Sequence, residues 1–144
     1  TFWKRTAPPA SMDLFNAPSR ESCAVRRERT NTPLQALATL NDPQFVEAAR
    51  RLAEHALLAG GDHRKAIETM ARRLLSRSLS AEETKIVAES LAELEQHFAA
   101  RPDAARQLLA TGESKPDAKL APARLAALTM LANQLLNLDE VLNK

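Results

Sequence analysis

Three arginines stand directly before a predicted helix start and could bind an anion together. Arg26, Arg27 and Arg29 precede the sequence Thr-Asn-Thr-Pro at residues 30–33, which is typical of a capped helix with proline at its first position. Guanidinium groups bind carboxylate or sulfate through paired hydrogen bonds, and a helix N-terminus adds positive potential. The alternative, which we expect, is pairing within the molecule, because clustered charges are more often structural. The candidate acids are Asp42, Glu47, Asp139 and Glu140.

Four side-chain amides follow in the same stretch: Asn31, Gln35, Asn41 and Gln44. An amide both donates and accepts hydrogen bonds, so these residues could line a sugar site. Two of them lie at helix starts, where capping explains them equally well. Together with the three arginines they are the predicted binding residues, and we predict no catalytic residue.

The histidines and the single cysteine favour structural roles. Glu93 and His97 are four residues apart on one helix face, as two metal ligands could be, but no second pair accompanies them. We therefore expect no metal and no other cofactor in this chain. Cys23 cannot form an internal disulfide, and its nearest histidine is His55. We expect this thiol to pack as a small apolar group rather than to act as a nucleophile.

Arginines later in the chain alternate with glutamates. This alternation predicts a solvated, salt-bridged face rather than a nucleic-acid site, which would need clustered cations or aromatic platforms. The arginines are Arg50, Arg51, Arg72, Arg73 and Arg77, and the glutamates are Glu47, Glu54 and Glu68.

The composition predicts an all-α protein. The 144 residues suffice for one domain with a real core, and three glycines and five aromatic residues disfavour a β fold. The net charge of +2 is too small to imply a polyanionic partner, and no apolar run is long enough to span a membrane.

Residues 1–31 are expected to form an extended arm packed on a helical bundle of residues 32–144. The arm contains Pro8, Pro9 and Pro18, which favour extended backbone. Its apolar side chains would hold it against the bundle: Phe2, Trp3, Met12, Leu14 and Phe15. The chain begins without an initiator methionine, which we interpret as a fragment of a longer parent domain.

From residue 33 onward, the apolar spacing predicts six helices, each with one apolar face to pack in an irregular bundle. The first covers about 33–40, and its apolar face is Leu34, Leu37 and Leu40. A capping box at Ser80 and Glu83 marks the start of the fourth. The others are expected at about 43–58, 62–76, 102–111 and from 122, with a break around 137–139.

The arm and the first two helices resemble a bacterial domain of unknown function. The resemblance rests on Phe-Trp-Lys-Arg at 2–5, Pro-Pro at 8–9, Phe-Asn-Ala-Pro at 15–18 and the run from 26 to 49. Residues 108–113 and 135–140 are also similar to the closing pattern of that domain. The domain ends large multidomain proteins that are abundant in planctomycetes, often downstream of a c-type cytochrome module. It is longer at its N-terminus, so about its first half is missing here.

The resemblance implies export to the periplasm or cell surface, a multidomain parent, and a link to electron transfer or polysaccharide use. It implies no reaction and no catalytic residues. The chain contains no Cys-x-x-Cys-His sequence, so we expect no covalent haem in it.

We therefore expect a non-catalytic structural or interaction module of an exported multidomain bacterial protein. The alternative is part of a carbohydrate-binding, anion-binding or enzymatic site that the missing N-terminal half completes. A deep polar pocket near residues 26–44 would favour the alternative, whereas fully paired arginines would favour the module. The expected partners are the other domains of the parent, with an anionic polysaccharide as a further candidate; nucleic acid is not expected.

Overall fold

The structure, a computed structural model, describes residues 10–18, 23, 25–26, 30–60 and 62–143. Within these residues it contains helices and no strand, so the predicted all-α class is confirmed. None of the helices in the described part of the chain is long and apolar enough to cross a bilayer. The helices are α1 (Ala10–Leu14), α2 (Pro33–Asn41), α3 (Pro43–Leu58), α4 (His63–Leu75), α5 (Ala81–Ala100), α6 (Pro102–Leu109), α7 (Pro122–Leu136) and α8 (Asp139–Leu142).

Local sequence signals explain where the helices begin. Thr32 and Gln35 form a capping box at the start of α2, and Ser80 and Glu83 form the predicted one at α5. The residue before α3 and before α4 is an aspartate whose carboxylate accepts a backbone N–H of the first turn. Proline opens α2, α3, α6 and α7, where no backbone donor is needed. Helices α2 to α7 are the six that the sequence predicts.

The centre of the bundle is α7. Nine of its fifteen residues are buried, and it packs against α3, α5 and α6. The face of α3 toward the core consists largely of Ala49, Ala53 and Ala56, whose small side chains allow a close approach of the two helices. Leu91 and Phe98 of α5 complete this part of the core. The break expected near residue 138 separates α7 from α8.

The described part of the arm contacts α2 and α3. It includes α1, a short helix in a segment predicted to be extended; its five residues contain neither proline nor glycine, so nothing opposes a helical turn there. The rings of Phe15 and Phe45 lie 6.1 Å apart, and Gln35 donates a hydrogen bond to the carbonyl of Leu14. The predicted anchors at positions 2 and 3 lie outside the described residues.

Helix α2 turns its apolar side outward. Leu34, Leu37 and Leu40 are 60%, 58% and 37% exposed, whereas Gln35 and Thr39 are the buried residues of the helix. The expectation that the three leucines pack into the bundle is therefore wrong. Gln35 and Thr39 take the inner side because each finds hydrogen-bond partners there, which offset the cost of burying polar groups.

Candidate interaction surface

The structure describes one of the three arginines predicted to bind an anion or to clamp the arm. Arg26 is exposed. Arg27 and Arg29 lie outside the described residues. Two of the acids considered as clamp partners have partners elsewhere: Glu140 pairs with Arg77, and Glu47 binds the loop after α6. Both the clamp and the anion site stay predictions.

Gln35 joins three segments of the chain. Its amide nitrogen donates to the Leu14 carbonyl at 2.8 Å and to the Thr30 hydroxyl at 2.9 Å, and its amide oxygen accepts the N–H of Thr32 at 3.0 Å. The side chain is buried, and its two donors are both in use. Gln35 therefore holds the arm against α2 and has no donor left for a ligand.

The other three amides lie apart from one another. Asn31 donates to Asp139 Oδ1 at 3.0 Å, which connects the start of α2 to α8. Asn41 donates to the Leu37 carbonyl of its own helix at 2.8 Å. Gln44 is exposed in the first turn of α3. The structure therefore does not bring these amides together into one pocket.

A surface hollow beside Gln44 has the wrong charge for an anion. Its volume is about 630 Å³, and its acidic lining residues are Asp42, Glu47 and Glu113. Three carboxylates around one hollow repel a sulfate or a carboxylate ligand. Of the predicted binding residues that the structure describes, only Gln44 lines this hollow.

The outward side of α2, formed by Leu34, Leu37 and Leu40, is called the leucine face below. The helix is held from its opposite side: the Thr39 hydroxyl lies 2.8 Å from Asn137 Oδ1, and Asn133 Nδ2 donates to the Leu40 carbonyl at 3.3 Å. The bonds to these two asparagines fix the rotation of α2 about its axis. The leucine face is thus held outward by specific contacts.

The leucine face lies in a segment without charge. Residues 30–41 contain no Asp, Glu, Lys or Arg, although such residues make up 26% of the chain. The uncharged run from 125 to 138 belongs mainly to α7, the buried central helix. A helix without a charged face is typical of a helix surrounded by protein. In composition, α2 resembles a core helix, yet one side of it is open to solvent.

A polar joint that was not predicted connects α3 to the loop of residues 110–121, called the α6–α7 loop below. Arg50 is fully buried, and its Nη1 lies 3.0 Å from Glu54 Oε1. Arg50 Nη2 donates to the Ser114 carbonyl at 2.7 Å. The prediction of a solvated face is wrong for these two residues, because the loop covers them. One signal was available: Arg50 falls within the apolar stripe of α3, four residues after Val46.

The same loop is held by Glu47. Hydrogen bonds from the Ser114 hydroxyl and from the N–H groups of Glu113 and Ser114 lower the pKa of Glu47 from 4.5 to about 2. The loop approaches Glu47 closely at Gly112, where a Cβ would lie 2.7 Å from the Cβ of Glu47. Gly112 also has a φ of +95°, a backbone conformation that residues other than glycine rarely adopt. This joint therefore requires glycine.

A second polar joint connects α4, α5 and α8. Arg77 Nη2 lies 2.8 Å from both Glu83 Oε1 and Glu140 Oε2. Arg77 donates hydrogen bonds to both carboxylates, which raises the pKa of Arg77 and lowers the pKa of Glu83 to about 2. The charged groups satisfy one another, so the arrangement fastens the C-terminal turn to the bundle.

The histidines stand in separate places. His55 lies 2.9 Å from Arg73, His63 lies 3.1 Å from Glu95, and His97 accepts a hydrogen bond from Arg101 at 2.7 Å. Across the residues with described positions, no group of three or more side chains could hold a metal ion.

The prediction that Cys23 packs as an apolar group is wrong, because the residue is exposed. A small thiol is easily solvated, so its exposure costs little.

Comparison with known families accounts for most of the chain. Residues 1–91 match the family model PSD1, described as a protein of unknown function (DUF1553). The chain belongs to this family. No curated protein and no solved structure matches the chain. The match covers the arm, α2 and α3 and therefore includes the leucine face, but it supplies no reaction or ligand for the PSD1 family.

Proposed function

We propose that this chain is a non-catalytic interaction module whose leucine face packs against another part of an exported, multidomain bacterial protein. The observation that carries the proposal is the orientation of α2: a charge-free helix buries Gln35 and Thr39 and exposes three leucines. Burying such a side chain contributes about 1.5–3 kcal/mol. Leaving three of them in water on one short helix is costly unless another surface covers them.

The polar residues of this region support a structural role. Gln35, Asn31 and Thr39 bind the arm, α8 and the end of α7, and together they present the leucine face. Each of the three side chains donates a hydrogen bond to another part of the chain. They act as supports of a docking surface.

The resemblance described above supports the setting. From it we infer a module outside the cytoplasm, at the end of a parent protein whose preceding residues supply the surface that the leucine face meets. A link to cytochrome modules and to polysaccharide use belongs to the same proposal. The direct partner is the rest of the parent domain.

Thiol labelling at position 37 tests the proposal. Leu37→Cys is made in a Cys23→Ser background, both in the 144-residue chain and in the parent protein extended toward its N-terminus. We expect labelling in the parent to be slower by about tenfold or more, because the face is covered there. Ile86→Cys is the control, since Ile86 is 65% exposed on α5. Equal labelling of position 37 in both proteins would refute docking through α2.

A further inference from the structure

A cleft between α5, α6 and α7 has the size of a small-molecule site. Its volume is about 540 Å³, within the range of roughly 300–1,000 Å³ that ligand sites occupy. Leu94, Leu108 and Met130 line it and are only half-buried, and the edge of Phe98 completes the apolar floor. The cleft lies away from α2, so it is independent of the leucine face.

The polar groups of the cleft lie along one side of α5 and on α7. The hydroxyl of Ser90 donates to Gln134 Oε1 at 3.2 Å across the cleft, which leaves the amide nitrogen of Gln134 as a donor. His97 accepts a hydrogen bond from Arg101 at 2.7 Å. These three lining residues contribute polar groups beside the apolar floor.

Among the described residues that line the cleft, Glu93 is the one with a carboxylate or a Lys or Arg charge. It is exposed, and it has no ion-pair partner among the residues that the structure describes. The guanidinium of Arg101 contacts His97, the lining residue one turn beyond Glu93. Glu93 therefore provides one negative charge at the lip of the cleft, next to an apolar floor.

We propose that this cleft binds a small amphipathic amine, with its apolar ring or branched chain on the floor and its ammonium group at Glu93. The apolar floor provides most of the affinity, because a single charge pair at an exposed lip contributes little. The carboxylate provides the selectivity, since it attracts an ammonium group and repels a carboxylate at the same place. Ser90 and Gln134 can accept and donate further hydrogen bonds to the ligand.

Titration with phenethylamine and with phenylacetate tests the proposal, because the two molecules share a ring and differ in charge. Binding to the 144-residue chain is followed by amide NMR shifts. We expect phenethylamine to shift residues around the cleft and to bind about three- to tenfold more tightly than phenylacetate, the range of a modest charge contribution. Glu93→Gln should remove this preference. Glu89→Gln, an acid one turn earlier on α5 that does not line the cleft, should keep it.

Filling the cleft gives a second, independent test. Met130→Trp should abolish the shifts produced by phenethylamine, and the same spectra show whether this variant is folded. Three outcomes overturn the proposal: no saturable shift at the cleft, equal or tighter binding of phenylacetate, or an unchanged preference in Glu93→Gln. The last two remain decisive even if Met130→Trp fails to fold.

Discussion

Arg50 and Glu54 form an ion pair inside the protein, with Nη1 3.0 Å from Oε1 and both side chains at most 5% exposed. They lie one helical turn apart on α3, and the α6–α7 loop closes over them through Ser114. The N–H of Asp117 also donates to Glu54 at 3.2 Å. The pair thus connects the loop to the helix that packs on α7.

Removing one member of this pair should be costly. We expect Glu54→Ala to lower the free energy of unfolding by about 3 kcal/mol, because it leaves the buried Arg50 with only the more distant carboxylate of Glu47, 3.7 Å away. Glu68→Ala removes the exposed partner of Arg72 and should cost less than about 1 kcal/mol. Urea denaturation of both variants gives the comparison. The double variant Arg50→Met/Glu54→Leu should cost less than the sum of its single changes, and strict additivity would contradict a coupled pair.

Glu47 should contribute stability that disappears in acid. Its pKa is lowered from 4.5 to about 2 in the folded protein, so the unfolded chain takes up a proton first as the pH falls. The contribution is complete above about pH 4.5 and is lost as the pH falls toward 2. We expect the difference in unfolding free energy between the natural chain and Glu47→Gln to shrink over this interval. Chemical denaturation at several pH values measures it, and a difference that grows in acid would show the sign to be wrong.

Substitution of two glycines with positive φ distinguishes the cost of backbone strain from the cost of a steric clash. Gly60 has a φ of +76° with nothing within 4 Å of a Cβ, whereas Gly112 has a φ of +95° and lies against Glu47. Gly60→Ala should cost about 1–2 kcal/mol for the left-handed conformation alone. Gly112→Ala should cost more, because Glu47 must also move and lose its hydrogen bonds. Equal losses in thermal or urea unfolding would indicate that the loop does not need this close approach.

Because α2 exposes Leu37 and buries Thr39, substitutions at these two positions should differ in their effect on stability. Leu37→Gln should change the stability of the 144-residue chain by less than about 0.5 kcal/mol, since Leu37 is on the surface. Thr39→Val keeps the shape of a buried residue but leaves Asn137 Oδ1 without its donor, so it should cost about 1 kcal/mol. Urea unfolding of the two variants decides the matter. A larger loss for Leu37→Gln would mean that the leucines face the core.

The sequence located α2 and its apolar stripe correctly but could not determine which side of the helix meets the bundle. Spacing identifies residues that share a face, whereas the choice of face depends on partners far along the chain. Thr39 bonds with Asn137, 98 residues later, and Asn133 reaches the Leu40 carbonyl from α7. The caps at Ser80 and Thr32 were predictable because their partners lie three residues away.

The burial of Arg50 and Glu54 could not be predicted from the sequence for the same reason. The spacing of Arg50 and Glu54 is visible in the sequence, but their burial depends on a loop more than 60 residues away that closes over them. The predicted binding residues were selected for their chemical types. Gln35 and Asn31 turned out to bind other parts of the chain, which no local pattern distinguishes from binding a ligand.

The central claim, that the leucine face packs on the rest of a parent protein, is tested most directly by Leu37→Glu in two contexts. Thermal unfolding is measured for the 144-residue chain and for the parent extended toward its N-terminus, each with and without the change. We expect the melting temperature of the short chain to change little, because a charge at an exposed position is solvated. In the parent it should fall by several degrees, since an unpaired carboxylate would be buried against an apolar surface. An unchanged melting temperature in the parent would contradict the claim.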